Sequence, residues 1–174
     1  MSNLQINTRV RRLFYYLEDF EKGLIRIPLF QRDVTWKISQ KLRLFDSIKN
    51  GYPIGSILFW RPTEDENLLN TDFELKSIGS FYMSERANDF LYILDGYQRL
   101  STLFGCLIDP EKTMLERDDE EWKKQFNIIY NLDTDKFDYN KKKNSELEFY
   151  KIPLYKLVDG KEFYNFQKIL YTKN

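Results

Sequence analysis

A chain of 174 residues that is 42% apolar and 17% aromatic can bury a sizeable core, and its 27 basic residues are balanced by 27 acidic ones. No global field therefore gathers nucleic acid, and any anion site has to be local. The chain has no histidine, which excludes histidine–metal nuclease centres, Ser-His-Asp triads and Cys-His dyads.

The lone cysteine, Cys106, rules out an intrachain disulfide and suits a reducing, cytoplasmic setting. No run reaches the roughly 18–20 apolar residues of a membrane span. The opening "MSNLQINTRVRR" lacks the apolar stretch of a signal peptide.

Thr8 can cap a first helix over "RVRRLFYYLEDFEK", where Val10, Leu13, Phe14 and Leu17 recur at helical spacing and Gly23 is a stop. "LIRIPLF" reads as a short strand ending near Pro28. A second amphipathic helix runs from Lys37 to Asn50, with Ile38, Leu42, Phe45 and Ile48 on one face and Gly51 behind it. "YPIGSILFW" has strand composition, "RPTEDENLLNTD" is polar loop, and "FELKSIGSFYMSERANDFLYILDG" fits two strands or a hairpin, the second strand ending at Asp95. The helix from Tyr97 to Ile108 presents Leu100, Leu103, Phe104, Leu107 and Ile108 on one side, and Asp109-Pro110 stops it. "FNIIYNL" and "KFDY" flank "DTD" as a hairpin. After the charged loop "NKKKNSE" come a candidate strand, "LEFYKIPLY", and a terminal helix, "EFYNFQKILY". This order predicts a mixed α/β or α+β fold. The last helix has no cap, so the chain reads as the front part of a longer protein.

Two joints share a design. In "IPLFQRDVTW" a strand gives way to Gln31-Arg32 before a helix; in "LDGYQRLSTL" it gives way to Asp95-Gly96, then Gln98-Arg99 and a helix. The unpartnered amides and dipole of a helix's first turn favour a phosphate. Gly96 would let such a ligand approach the backbone. Arg32 and Arg99 offer bidentate contacts, and Ser101 and Thr102 offer hydroxyls one turn on. Asp95 can hold Mg²⁺, a ribose hydroxyl or one of the arginines. The alternative is that Asp95 is a plain N-cap and that the glutamines and arginines pair with backbone and carboxylates.

"IPLFQRDVTW", "LFDSIKNGYPIGSILFW" and "YILDGYQRLSTL" together resemble the N-terminal domain of GmrSD-type restriction proteins, a bacterial family marked by I-P-x-x-Q-R and D-G-Q-Q-R segments. The resemblance is clear from Thr8 to about Leu107 and looser over "NLDTDKFDYNKKKNSELEFYKIPLYKLVDG". It implies a ParB/sulfiredoxin-like core over 1–110 and a hairpin and helical extension over 111–174. It also implies a nucleoside triphosphate with Mg²⁺, bound and in some relatives hydrolysed, in a sensor domain of a DNA restriction or phage-defence protein. A nuclease or effector domain is expected outside this chain. Carried over by motif, the functional centre is Asp95, Gly96, Gln98 and Arg99, with Pro28, Gln31 and Arg32 from the first segment. Asp95, Gln98 and Arg99 would be catalytic, with Asp95 on the metal; Gln31, Arg32, Gly96, Tyr97, Ser101 and Thr102 would contact nucleotide. Tyr97 departs from the family's glutamine, which bears on hydrolysis more than on binding; it can stack on a base or pack.

Sulfiredoxin chemistry needs a cysteine at the joint, whereas Cys106 lies about two turns down the helix among Leu103, Phe104 and Leu107, a core position. Trp36 can stack on a base or anchor its helix, and Trp60 reads as packing. Lys37, Lys41 and Arg43 form a basic patch able to touch DNA, as do Lys141, Lys142 and Lys143 from a loop. The competing functions are a ParB-like DNA-binding module that uses no nucleotide and a scaffold whose motif residues only knit the core.

Overall fold

The computed structural model describes residues 10–22, 24–28, 31–62, 90–109 and 124–173. Thr8, Gly23 and the first strand expected between 73 and 89 lie outside them. Helix α1 (Leu13–Glu21) leads into a two-residue strand, β1 (Ile25–Arg26), and then to α2 (Ile38–Lys49). Strands β2 (Leu58–Trp60) and β3 (Leu91–Asp95) precede α3 (Tyr97–Leu107). The second half holds β4 (Ile128–Asn131), β5 (Lys136–Tyr139), β6 (Lys151–Pro153), α4 (Leu154–Val158) and α5 (Gly160–Lys173). The fold is mixed α+β.

Two three-stranded sheets organise these elements, in the orders β1-β3-β2 and β5-β4-β6. Strand β3 is central in the first. It runs parallel to β1, with Ile25 opposite Leu91, and antiparallel to β2, with Phe59 opposite Ile93. Parallel neighbours need a long crossover, and α2 and β2 lie in it. In the second sheet β4 pairs antiparallel with both neighbours. The hairpin read around "DTD" is present: Asn131 Oδ1 accepts from the Asp133 and Thr134 amides, and Asp135 takes φ 57°.

One apolar cluster joins Ile25, Ile27, Ile93, Tyr97, Leu100 and Phe104 between the first sheet and α3. A second joins Leu44 and Phe45 of α2, Leu103 and Cys106 of α3, and Phe126, Ile128 and Leu154 of the second sheet region. Helix α3 contributes to both clusters: Tyr97 and Leu100 of its first turn pack in the first, and Leu103 and Cys106 further along pack in the second. Cys106 is buried, as its apolar neighbours require, and burial raises its thiol pKa. Trp60 stacks on Tyr92 with ring centres 5.7 Å apart.

Five expectations need correction. The first helix starts only at Leu13, and Val10, read on its apolar face, is exposed. Ile48, read on the apolar face of α2, is exposed, and Leu44 is buried instead. The strand read over "YPIGSILFW" survives only at 58–60. Gly55 takes φ 84°, and the Ile54 and Ser56 carbonyls point to a side chain instead of a neighbouring strand. "LEFYKIPLY" is strand only at 151–153, since Pro153 is followed at once by α4. Lys41 is not part of a DNA-facing patch, because it is fully buried. It shares a helical face with Leu44 and Phe45. Its ammonium donates to Gln125 O at 2.9 Å and Gln125 Oε1 at 3.2 Å and lies 4.1 Å from the centre of the Phe126 ring. Burial lowers its pKa to about 8. Lys141, Lys142 and Lys143 are exposed.

Candidate functional site

The two joints meet. A cavity of about 710 Å³ is lined by Gln31, Arg32, Thr35 and Trp36 from the first joint and by Asp95, Gly96, Tyr97, Gln98 and Arg99 from the second. Gln40, Arg43, Leu44 and Ser47 of α2 form another wall, with Pro53 and Ile54 beyond them.

What brings the joints together is a reciprocal exchange of amides. Gln31 Nε2 donates to Ile93 O at 3.0 Å and Leu94 O at 2.9 Å, the carbonyls near the end of β3. Gln98 returns the contact: its Oε1 accepts from the Thr35 and Trp36 amides at 2.9 and 3.3 Å, and its Nε2 donates to Asp33 O at 2.7 Å. Each glutamine therefore fixes the backbone of the opposite joint.

The arginines have different surroundings. Arg99 Nη1 donates to Ile54 O at 2.8 Å; its Nη2 donates to Ser56 O at 2.7 Å and to Asp95 Oδ2 at 2.9 Å. Its side chain is 19% exposed, against 72% for Asp95. A Cβ at Gly55 would lie 2.0 Å from Arg99 Nη1, so the glycine is what lets the guanidinium enter the turn. Arg32 is exposed and has no hydrogen-bond or ion-pair partner among the described residues.

Gly96 has φ 93°, and a Cβ there would sit 3.0 Å from Ile57 Cγ1, so both the turn and the packing demand glycine. As the N-cap of α3 it supplies no side-chain cap. Tyr97 is in the core cluster behind the joint, where burial raises its phenol pKa; it packs. Ser101 and Thr102 are fully buried and do not line the cavity. Thr102 Oγ1 instead donates to Gln98 O at 2.8 Å within the helix. Pro28 is buried.

Sequence reading missed Gln40, Ser47, Pro53, Ile54 and Gly55 as parts of the site and placed Arg43 only in a DNA-facing patch. A signal for the α2 wall was present: Gln40, Arg43 and Ser47 recur at three- and four-residue intervals, the spacing of one helical face.

Among the described residues, no cluster of three or more metal-ligating side chains occurs. Asp95 is the carboxylate that lines the cavity. Its Oδ2 already accepts from Arg99, and a Mg²⁺ held there would need its other ligands from phosphate and water.

These features define a class: a small α+β domain in which two Gln-Arg joints close one side of an arginine-bearing cavity. The chain belongs to the family described as GmrSD restriction endonuclease, N-terminal domain, which matches residues 13–173. That family sets the chain within restriction and defence proteins. No curated protein matches the sequence. No helix among the described residues is long and apolar enough to cross a membrane.

Proposed function

We propose that the domain binds a nucleoside triphosphate with Mg²⁺ and acts as the sensor of a restriction or phage-defence protein. The observation that carries this reading is the meeting of Arg32, Asp95 and the glycine-capped first turn of α3 on one cavity. Its volume, about 710 Å³, falls within the roughly 300–1,000 Å³ of small-molecule sites. Family membership over residues 13–173 supports it.

The roles divide by what each group has left to offer. Arg32, exposed and unpaired, contacts phosphate oxygens. Asp95 would hold Mg²⁺, which supplies charge neutralisation at the phosphates. Trp36 offers a face for a base. Gln31, Gln98 and Arg99 position the walls through the bonds described above. Binding biases a conformational equilibrium to the extent that the nucleotide prefers one state.

Isothermal titration with ATP, GTP, CTP and UTP in Mg²⁺ is expected to give saturable binding of at least one of them. Arg32→Ala should weaken it about tenfold or more, the loss of one charge-assisted contact. A phosphate-release assay then separates a hydrolase from a binder. Absence of heat with all four nucleotides, together with steeply salt-dependent DNA binding, would replace this reading with the DNA-binding one.

A further inference from the structure

We infer that Arg43, on α2, is the partner of Arg32 in gripping the polyphosphate, and that Arg99 is not. This rests on the nucleotide reading above and assigns its anion subsite. The cavity carries three guanidiniums, Arg32, Arg43 and Arg99. Arg99 has three of its donor contacts taken by Ile54 O, Ser56 O and Asp95 Oδ2, and its charge is offset by the Asp95 carboxylate. An incoming phosphate would have to displace those bonds and strip two backbone carbonyls of their donor. Arg43 is exposed, and like Arg32 it makes no hydrogen bond or ion pair with any described residue.

The wall around Arg43 suits an anion. Gln40 Oε1 already accepts the Lys37 amide at 3.0 Å, so its amide is left with N–H donors to offer. Ser47 adds a hydroxyl one turn beyond Arg43. From Gln40 to Ser47 the helix rises about 10 Å, a donor strip longer than a single phosphate. A chain of phosphates lying along it would meet Arg43 from α2 and Arg32 from the facing joint.

Inorganic tripolyphosphate, which has no base or sugar, is the direct probe, with the tightest-binding nucleoside triphosphate and its monophosphate beside it. Titration of the full chain is expected to show tripolyphosphate and the triphosphate weakened about tenfold or more by Arg43→Ala. Arg43→Lys should restore part of that loss, and the monophosphate should lose less. Melting temperature should stay at the wild-type value, since Arg43 holds no partner among the described residues. If wild type binds the triphosphate and Arg43→Ala binds it equally well, the assignment of Arg43 is overturned while the nucleotide reading stands. If wild type binds neither triphosphate nor tripolyphosphate, both fall. A loss of the same size for the monophosphate as for the triphosphate also overturns the assignment, because Arg43 would then not be reading the phosphate chain.

Discussion

The same dipeptide, Gln-Arg, occurs at two strand-to-helix joints and ends in two different states. At the first joint the arginine stands open in the cavity; at the second it is enclosed by Ile54 O, Ser56 O and Asp95. The glutamines behave alike, each bonded to the backbone of the other joint. The difference lies in what surrounds each arginine. Arg99 meets a turn whose Gly55 leaves room for it and whose carbonyls face inward. Arg32 meets no such receptacle. One motif can therefore supply a ligand group at one site and a structural clamp at another.

The largest expected effect breaks the clamp. Gly55→Ala would put a Cβ 2.0 Å from Arg99 Nη1 at a backbone φ of 84°. Backbone strain and the part-buried Ile54 carbonyl left without its donor should together cost about 2–3 kcal/mol, read by urea denaturation. Arg99→Ala should cost about 1 kcal/mol, chiefly through the part-buried Ile54 carbonyl, because the Ser56 carbonyl is exposed to water and the ion pair with the exposed Asp95 contributes little. Arg32→Ala should stay within about 0.5 kcal/mol of wild type. Equal losses at Arg32 and Arg99 would erase the distinction between the joints.

An intermediate effect sharpens it. Gln98→Ala removes the acceptor of the Thr35 and Trp36 amides and the donor to Asp33 O. A loss of about 1–3 kcal/mol is expected. Faster hydrogen exchange should be confined to 33–36 and the first turn of α3. Unchanged exchange at Thr35 would show that Gln98 does not hold the first joint.

A further effect, read against pH, concerns a third cation, Lys41, which is neither open nor clamped by charge but sealed in the core. Its folded pKa of about 8 lies below the ordinary lysine value of about 10.4. Between those values the unfolded chain holds more protons, so this residue's contribution to stability rises with pH there. Cys106 and Tyr97 titrate with raised values and push the other way, so the reading is a difference. From pH 7.5 to 10, wild type should gain melting temperature relative to Lys41→Met, which retains those groups. A constant gap across that range would mean that Lys41 titrates normally.

Much of this architecture was legible. Periodicity placed the bounds of α2 and α3 within a residue or two, with Phe45, Leu100, Leu103 and Phe104 correctly on buried faces, whereas the α2 face was turned: Ile48 is exposed and Leu44 is buried. The shared Gln-Arg pattern marked both joints as candidate anion sites, and the fold brings them to one cavity. What could not be read was which arginine would remain available, since that depends on carbonyl directions at Ile54 and Ser56, and carbonyl direction has no residue code beyond the glycine between them. Lys41 escaped for a related reason. Its side chain is long enough to bury its methylenes and still reach a carbonyl contributed from far along the chain, and composition registers only its charge. The hydroxyls of Ser101 and Thr102 pointed to a ligand in sequence but are buried in α3.

The Gly55–Arg99 fit has a consequence for recombination. The backbone at 54–56 is bent around a group contributed by α3, so the loop and residue 99 form one unit of inheritance although 43 residues separate Ser56 from Arg99. A chimera that takes the loop from one homologue and the helix from another should survive only when both parents carry the matching half. Shuffled libraries of such domains should show crossovers depleted between these two positions.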